Sequence, residues 1–478
     1  MRRRTRVAIA IVALLAVIGG HELRARAKRR AEAAERAWLR TERDSYATAA
    51  WDHALHHRRE AATMALRAVA LDHQLREPPA ADRLAITRAA YATRSWAEAA
   101  GAPALVTVLA HVPGPLPARF TSDGDFAIAG AHGATTHDGK TGKLLHSFGG
   151  DTSSGVASFQ RERVLVARPG GDLVAWNANT EASIGENVGL ATSPDDVTFA
   201  RDAPFAIACR GGDCTVVDGD LRERTKVVPP NGIVATLIAP DGKHVAIAGQ
   251  DGGWTVFDVD AKKAVVTISS VASPPRAFLT NEAIVVALAE TSVLHEVSGK
   301  KVAELPGTVV QVSDDGAWLA TESRGQLQYF RTITGGRRGG FELGPRQRTA
   351  LARDGRQVAV LDETRPDLVV RETTGREIAT FTGHAAPITA VSWNGDGRYL
   401  ATASQDRTLR LWAVHADEHA VAEIEVDEVP DEIHLSRDAT RIVTSGRVVR
   451  LYDVSIDGAI ASLCRAAEPE PAVEKVCR

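Results

Sequence analysis

The stretch Thr382–Val414, TGHAAPITAVSWNGDGRYLATASQDRTLRLWAV, decides the fold. Its apolar segments ITAVSW, YLATAS and TLRLWAV have the length of strands, and the turns NGDGR and SQDRT separate them. Apolar runs bounded by Gly- and Asp-containing turns predict short β-strands joined as hairpins. A unit of this size cannot bury both of its faces alone, so similar units are expected beside it.

The same plan recurs along most of the chain. Each unit has a turn, an apolar strand, a Gly- or Asp-rich turn, a second strand, a turn of the D-x-x-T-G-K type and a final strand. The first turns of nine units lie 34 to 42 residues apart, near Ser122, Gln160, Arg201, Pro240, Thr280, Asp314, Arg353, Gly395 and Arg437. This period matches a four-stranded propeller blade and is too long for leucine-rich or ankyrin repeats.

Thr382–Val414 resembles a repeat of the WD-repeat (WD40) family. The resemblance rests on Gly383-His384, the run Leu400–Ser404, Asp406 and Leu411-Trp412, with Ala413 in place of the usual Asp. It implies an all-β propeller, with nine repeats counted and seven to nine blades. It also implies a hydrogen-bond network that fixes the blade, formed by His384, Ser404 or Thr402, Asp406 and Trp412.

The family resemblance further implies how the ring closes. In WD-repeat proteins an early strand usually completes the last blade, and the apolar stretch Ala104–Ala110 is the candidate for that strand. The ninth unit has no obvious fourth strand of its own after Ser455, which fits this arrangement. The propeller is therefore expected over residues 104–463, and residues 464–478 are expected to form a flexible tail.

The N-terminus predicts a membrane segment. Residues 1–20 contain a basic head, MRRRTR, followed by uncharged and mostly apolar residues 7–20. A helix over residues 7–20 is about 21 Å long at 1.5 Å per residue, so a short anchor and a signal-peptide core both remain open. An uncleaved single-pass anchor in a bacterial inner membrane is favoured, and the side on which the propeller lies stays open.

Residues 21–100 predict a helical stalk or hairpin, because His21–Glu77 lacks Gly and Pro and is rich in Ala, Arg, Glu and Leu. Residues 1–100 contain 19 Lys/Arg and 11 Asp/Glu, whereas the rest of the chain contains 38 and 49. The basic N-terminal part suits contact with anionic lipid. The acidic remainder argues against a nucleic-acid partner.

The octapeptide ATTHDGKT, residues 134–141, satisfies the loose P-loop signature. A phosphate cradle requires a strand before the loop and a helix after it. In the repeat frame Lys140 instead lies on a hairpin tip between two strands. The sequence therefore predicts a turn here, with no nucleotide bound.

Candidate catalytic and metal sites are weak. His53, His56 and His57 lie in one helical stretch, but no Glu stands between them and no third ligand is evident. None of the hydrolase, zincin or kinase motifs is present. The sequence predicts a protein that is not an enzyme and that uses no metal or cofactor.

Arg and Gln recur in the turns between the second and third strands of the units. In the WD-repeat arrangement these turns share one face, and an arginine ring there is predicted to bind an acidic peptide or a carboxylate. The alternative is a solvated face whose interleaved Asp172, Asp213, Asp251, Glu322, Asp367 and Asp406 neutralise the charge. The candidate residues are Arg168, Arg210, Gln250, Arg324, Arg365, Gln405, Arg407 and Arg447.

The chain has four cysteines, and two pairings are candidates. Cys209 and Cys214 flank the turn RGGD, and a hairpin there brings them close enough for a disulfide. Cys464 and Cys477 bracket the acidic tail. Disulfides require an oxidising compartment, and four unpaired thiols in a cytosolic protein remain an equal alternative.

The layout of an apolar segment, Ala-rich helices and WD-type repeats resembles the C-terminal part of large bacterial signalling proteins of the STAND or kinase type. No NTPase or kinase domain is visible here, so the expected function is a membrane-tethered, non-catalytic scaffold that binds a protein or peptide. Two alternatives are a propeller enzyme, such as a hydrolase or lactonase with a site in the channel, and an assembly propeller of the bacterial envelope. The latter is suggested by HDGKTGKLLHSF, which resembles quinoprotein-type repeats.

Overall fold

The computed structural model describes residues 28–50, 58–75, 83–99 and most of 105–477. Within 105–477 the gaps are 112–117, 121–125, 131–132, 149–155, 161–162, 169–170, 178–179, 188, 192–196, 229–231, 270–276, 416–419, 447 and 468–470. The proposed membrane segment, residues 7–20, lies outside the described residues. Among the helices that are described, none has the length and apolar character needed to cross a membrane.

The chain divides into two compact units, one of helices and one of strands. The helical unit takes residues from both ends of the sequence, before Leu105 and from Ile456 onwards. Its helices are α1 (28–50), α2 (Arg58–Leu75), α3 (Arg83–Ala99), α4 (Ile456–Ala466) and α5 (Pro471–Val476). The helical region predicted before the strands is thus present.

Residues 464–478 differ from the expected flexible tail. Helix α4 buries Ala459, Leu463 and Ala466, which recur at helical spacing, and it packs on α2 and α3. Helix α5 packs on α2, and a disulfide between Cys464 and Cys477 joins the two C-terminal helical segments. Sequence reasoning missed this because the Pro-containing segment between the helices is typical of a linker. The apolar face of α4 is buried only by α2 and α3, which lie far away in the sequence.

The strand unit, Leu105–Ser455, contains nine four-stranded antiparallel sheets among its described residues. Sheet 1 has β2 (Ala118–Phe120), β3 (Phe126–Gly130), β4 (Gly133–His137) and β5 (Leu144–Phe148). Sheet 2 has β6 (Val156–Gln160), β7 (Arg163–Ala167), β8 (Leu173–Asn177) and β9 (Ser183–Asn187). Sheet 3 has β10 (Val197–Phe199), β11 (Phe205–Arg210), β12 (Asp213–Asp218) and β13 (Glu223–Val227).

The next three sheets repeat this order. Sheet 4 has β14 (Ala235–Ile238), β15 (His244–Ala248), β16 (Trp254–Asp258) and β17 (Lys263–Ile268). Sheet 5 has β18 (Ala277–Leu279), β19 (Ala283–Ala287), β20 (Thr291–Glu296) and β21 (Lys301–Pro306). Sheet 6 has β22 (Thr308–Val312), β23 (Trp318–Ser323), β24 (Gln326–Arg331) and β25 (Arg337–Glu342).

The last three sheets end with the exception predicted from the sequence. Sheet 7 has β26 (Gln347–Leu351), β27 (Gln357–Asp362), β28 (Leu368–Glu372) and β29 (Glu377–Phe381). Sheet 8 has β30 (Ile388–Trp393), β31 (Tyr399–Ser404), β32 (Thr408–Ala413) and β33 (Ala420–Glu425). Sheet 9 has β34 (Glu432–Leu435), β35 (Arg441–Ser445) and β36 (Val448–Asp453), and β1 (Val106–His111) supplies its fourth strand.

The closing strand predicted near Ala104–Ala110 is confirmed. β1 pairs antiparallel with β36, with Val106 opposite Tyr452 and His111 opposite Val448. The carbonyl of Leu105 accepts a hydrogen bond from Asp453 N at 2.9 Å. Residues 105–111 and 432–453 therefore form one sheet although most of the chain separates them.

In sheets 2 to 9 the second strand carries the core. In β19 all of Ala283–Ala287 are buried, and β15, β27 and β31 are buried along most of their length. Such continuous apolar strands occur where a sheet is covered on both faces. Each fully buried Val, Ile or Leu side chain contributes about 1.5–3 kcal/mol, so contact between neighbouring sheets accounts for most of the stability.

Neighbouring sheets contact each other around a closed ring. Shared apolar clusters join sheets 1 to 2, 2 to 3, 3 to 4, 4 to 5, 5 to 6 and 6 to 7. Trp393 Nε1 of sheet 8 donates to Ala350 O of sheet 7 at 3.0 Å, and Leu435 N of sheet 9 donates to Ser392 Oγ of sheet 8 at 3.0 Å. Arg441 Nε of sheet 9 donates to Lys140 O of sheet 1 at 3.3 Å, which completes the circle.

A register shift recurs at one place in sheets 1 to 8. It lies in the pairing of the third strand with the fourth, just before the last or second-to-last residue of the third strand. Examples are the shifts between Val256 and Phe257 and between Leu411 and Trp412. Bulges increase local twist and redirect a side chain. The sheets therefore share this geometry even where their sequences have lost the repeat signature.

Candidate interaction surface

The two ends of the sheets define two faces of the ring. We call the strands of each sheet a, b, c and d in chain order, with β1 as strand d of sheet 9. Because each sheet is an antiparallel meander, its a–b and c–d turns lie at one end, here named the a–b face. Its b–c turn and the connections between sheets lie at the other end, here named the b–c face.

Most c–d turns are held by the second residue after the register shift, at or just after the end of strand c. Asp138 Oδ1 accepts hydrogen bonds from Thr141 N and Thr141 Oγ1, each at 2.6 Å, and these bonds lower the pKa of Asp138. The same position is occupied by Asn177, Asp218, Asp258, Glu296 and Glu372, each of which accepts a hydrogen bond from its own turn. In sheet 9, which has no c–d turn, Asp453 accepts from Ser455 N just before α4.

The P-loop-like stretch is one of these c–d turns. Lys140 is exposed at the tip between β4 and β5, and the residues that follow it, Leu144–Phe148, form a strand. A P-loop needs a helix after the loop, whose N-terminus binds the phosphates, and here the loop is followed by a strand. The geometry at Lys140 is therefore that of a hairpin turn.

The residues singled out in Thr382–Val414 form a hydrogen-bonded chain across sheet 8. Trp412 Nε1 donates to Thr402 Oγ1 at 2.9 Å, and Thr402 Oγ1 lies 2.7 Å from His384 Nε2. His384 Nδ1 lies 2.8 Å from Asp406 Oδ2. The hydroxyl in this chain is that of Thr402. Ser404, the other candidate, instead donates to Ala386 O at 2.8 Å.

This chain favours a neutral His384. Since Thr402 accepts from Trp412, its own hydrogen is available to His384 Nε2, and His384 Nδ1–H then donates to Asp406. Burial lowers the pKa of His384, and the hydrogen bond and charge of Asp406 offset this only in part. Burial opposes ionisation of Asp406, but hydrogen bonds from Ala385 N, Thr408 and His384 outweigh it and lower the pKa of that carboxyl.

We expect the stability of the ring to fall as the pH drops from 7 to 5. The ordinary pKa of histidine is about 6.5. Below this pH His384 is protonated in the unfolded chain but stays neutral in the folded protein, so acid favours unfolding. Burial also lowers the pKa of His137, which adds an effect of the same sign. Urea unfolding at pH 7 and pH 5 measures this difference, and His384→Gln should show a smaller one. Equal pH differences in the two proteins would contradict the role of His384.

The candidate binding residues lie in b–c turns, on the b–c face. Arg447 is outside the described residues. Arg168 Nη1 pairs with Glu186 Oε1 at 3.2 Å, and its guanidinium lies 5.8 Å from the centre of the Trp176 ring. Arg210 Nη1 donates to Gly189 O at 2.8 Å. Arg168 and Arg210 therefore have intramolecular partners that hold the turns of sheets 2 and 3.

The remaining described candidates are exposed at turn tips. Gln250, Arg324, Arg365, Gln405 and Arg407 are all exposed. Arg324 and Arg407 have φ values of 51° and 63°, a left-handed conformation that tightens each turn. Arg324, Arg365 and Arg407 form no ion pair with any carboxylate in the described part of the chain.

Several of the interleaved carboxylates bind backbone of the same face. Asp172 Oδ1 accepts from Gly189 N at 2.6 Å, Asp251 Oδ1 from Gly253 N at 3.0 Å and Glu322 Oε1 from Gly325 N at 3.1 Å. These carboxylates therefore stabilise the turns, while Arg324, Arg365 and Arg407 are exposed to solvent. Their negative charge still lies on this face, so the face presents both signs.

Sequence reasoning missed an apolar feature of the b–c face. Val228 and Val234 flank the connection from sheet 3 to sheet 4 and are 66% and 53% exposed. The nearby b–c turn of sheet 3 is closed by the disulfide Cys209–Cys214, whose residues are directly paired in β11 and β12. The available signal was the presence of apolar Val228 and Val234 around Pro229-Pro230, in a segment whose Pro and Gly mark it as a loop.

The metal candidates His53, His56 and His57 lie outside the described residues. Within the described residues no group of His, Cys, Asp and Glu is arranged to hold a metal ion. All four cysteines are in the two disulfides.

The comparisons with known proteins identify the repeat and the fold. Residues 375–413 match the WD40 family model described as "WD domain, G-beta repeat". Among solved structures, the chain is similar to "Crystal structure of the eukaryotic initiation factor" at 13% identity, over 68% of this chain and 91% of that chain, with a TM-score of 0.54. It also matches "Crystal Structure Of The C-Terminal WD40 Domain Of Sif2" at 12% identity, over 73% and 98% of the two chains, with a TM-score of 0.46.

The chain therefore contains a WD40 repeat, and its strand unit is a β-propeller similar in fold to WD40 propeller proteins. Identities of this size show the fold alone. WD40 propeller domains in general mediate protein–protein interaction and are typically scaffolds without enzymatic activity, so a specific function for this chain depends on its own surfaces.

Proposed function

We propose that this chain is a non-catalytic scaffold that binds an acidic peptide or protein through the b–c face of its propeller. The observation that carries this proposal is the set of exposed Arg324, Arg365 and Arg407, none of which forms an ion pair in the described part of the chain, although Arg365 acts electrostatically on Asp362. Guanidinium groups without internal partners are suited to bidentate recognition of carboxylates.

We further propose that residues 7–20 tether the scaffold to a bacterial inner membrane as a single-pass anchor and that the propeller lies on the oxidising side. The two disulfides support this side, because such bonds persist in the periplasm and are rare in the cytosol. In this arrangement any signalling output belongs to the bound partner.

A second candidate function is assembly of envelope components by the same propeller. The disulfides favour it equally, since it also requires an exported propeller. The two functions differ in the partner: a signalling scaffold binds a sensor or output protein, whereas an assembly propeller binds envelope proteins during their insertion.

Proximity labelling from the full chain tests the binding face. The triple variant Arg324→Glu, Arg365→Glu, Arg407→Glu should lose the neighbours that the unchanged protein labels, because three charges on the b–c face are reversed. The matched control is Lys300→Glu, Arg356→Glu, Arg398→Glu, which reverses three exposed charges on the a–b face. Equal labelling by the triple variant and the unchanged protein would contradict binding at the b–c face.

Reporter fusions test the tether and the side of the membrane. A reporter that is active only outside the cytoplasm should function when fused after Val414, and the same fusion should stay in the membrane fraction. Activity of a cytoplasm-only reporter at Val414 would place the propeller inside the cell and overturn the periplasmic arrangement.

A further inference from the structure

Two arginines stack on one tryptophan on the a–b face of sheet 6, and a third arginine is their neighbour in sequence. Trp318 begins strand β23 and is directly opposite Arg331, the last residue of β24. The Arg331 and Arg338 guanidinium carbons lie 4.8 and 4.5 Å from the centre of the Trp318 ring. Arg337 precedes Arg338 in strand β25 and is exposed.

Arg331 differs in type from the residues that occupy the same position, at the end of strand c, in most other sheets. In six of the other sheets the residue at this position is an Asp, Asn or Glu that accepts a hydrogen bond from its c–d turn. The turn of sheet 6 keeps the backbone bonds that the other c–d turns have, with Gly335 N donating to Arg331 O at 2.8 Å and Arg331 N to Gly336 O at 2.9 Å. Its side-chain acceptor is Thr334 Oγ1, which Gly336 N contacts at 3.2 Å. The Arg331 side chain is therefore not needed for the turn, and such local departures concentrate at functional sites.

None of the three arginines is held in an ion pair within the described part of the chain. Arg331, Arg337 and Arg338 form no ion pair with a carboxylate of the described residues. Glu372 is close enough for Arg338 to act on it electrostatically, but hydrogen bonds from Arg376 and Thr374 are the main causes of its lowered pKa. Those two partners already engage the Glu372 oxygens.

The tryptophan is held between two sheets. Gly355, in the a–b turn of sheet 7, stands so close to the indole that a Cβ there would lie 2.5 Å from Trp318 Cδ1. Its φ of 65° also favours glycine. Ile333, in the same turn as Arg331, is 52% exposed. The site therefore combines a fixed aromatic ring, an exposed aliphatic side chain and three positive charges.

We propose that Trp318, Arg331, Ile333, Arg337 and Arg338 form a docking site for an acidic peptide segment of a partner protein, with an apolar residue of that segment on Ile333 and Trp318. Arginines stacked on an aromatic ring are pre-oriented for bidentate contact with carboxylates. This site lies on the a–b face and is a second surface, separate from the b–c face of the proposed function.

The surrounding charges favour a peptide over an anionic membrane. The a–b turns of sheets 3, 6 and 8 expose carboxylates, with Asp202, Asp314 and Asp396 being 54%, 62% and 56% exposed and each paired with an arginine. A flat anionic surface would meet these carboxylates together with the arginines. A narrow peptide that follows the c–d turn of sheet 6 avoids the carboxylates of sheets 3 and 8 and passes beside the a–b turn that holds Asp314.

Titration of the full chain with a short labelled peptide of Glu residues around a central Leu tests this site by fluorescence anisotropy. We expect Arg331→Glu with Arg338→Glu to weaken binding at least about tenfold, since two charge-assisted contacts are lost. Arg331→Lys with Arg338→Lys keeps the charge but loses the planar fork and should give an intermediate loss. The same peptide with Gln in place of Glu should bind far more weakly.

Two controls make the outcome decisive. The titration is made in the triple b–c variant, so that the b–c face of the proposed function does not contribute to peptide binding. In that protein Lys300→Glu with Arg398→Glu reverses two charges elsewhere on the a–b face and should leave peptide affinity within about twofold. Undiminished binding by Arg331→Glu with Arg338→Glu, in a protein with unchanged unfolding midpoint, would overturn the proposal. Binding of phosphatidylserine vesicles through the same arginines, without peptide binding, would overturn it in favour of a membrane contact.

Discussion

Asp406→Ala is expected to lower the free energy of unfolding by about 3 kcal/mol, because it removes the acceptor of a buried hydrogen-bonded group. Asp406 Oδ2 accepts from His384 Nδ1 and Ala385 N, and Asp406 Oδ1 accepts from Thr408 N and Thr408 Oγ1, all at 2.8 Å. The His384 side chain is fully buried, so its Nδ1 donor cannot find water instead. Urea unfolding followed by circular dichroism measures the loss.

Asp354→Ala is the matched control for this experiment. Asp354 lies in the a–b turn of sheet 7, is 41% exposed and accepts one backbone hydrogen bond, from Arg356 N at 3.0 Å. Its removal should cost about 1 kcal/mol or less. Losses of similar size in the two variants would mean that the network of sheet 8 is no more important than an ordinary turn.

Leu105→Asp is expected to destabilise the ring by about 4 kcal/mol or more, because it places a charge in an apolar site. Leu105 is 2% exposed and lies next to β1, the strand that closes sheet 9. Hydrogen exchange should show the amides of β34–β36 losing protection before those of sheets 3 to 5, since an opened ring exposes sheet 9 first.

Leu144→Asp introduces the same residue at an exposed leucine of sheet 1. Leu144 is 51% exposed in the outer strand β5, so the change should stay within about 0.5 kcal/mol. If Leu105→Asp unfolds no more easily than Leu144→Asp, or if protection falls evenly in all sheets, then closure by β1 does not stabilise the ring.

The sequence predicted the ring well because its signals are local and repeated. Turn residues and apolar strands recur with one period, so even sheet 5, whose unit around Ala283 keeps almost none of the family residues, could be placed by spacing. The closing strand followed from the missing fourth strand after Ser455. The choice between Thr402 and Ser404 stayed open because both are hydroxyl residues of one strand, and only the position of Trp412 Nε1 decides between them.

The features that the sequence did not predict depend on contacts between residues that are distant in the chain. Trp318 and Arg338 are on different strands, and nothing near either residue shows that the two side chains meet. Likewise, the helix Ile456–Ala466 has an apolar face whose partners α2 and α3 are encoded near the other end of the chain. On the b–c face the turn positions were predictable, but the pairing of Arg168 with Glu186 and of Arg210 with Gly189 O was not.

The ninth sheet also has a consequence for biosynthesis. Its fourth strand, Val106–His111, leaves the ribosome before any repeat is made, whereas its hydrogen-bonding neighbour Val448–Asp453 emerges only after all the other sheets. At typical synthesis rates of about 5–20 residues per second, the early strand waits for tens of seconds with an unpaired edge. During that interval it is open to association with other nascent chains or with chaperones, so slowing translation of the last repeat should increase aggregation of this protein.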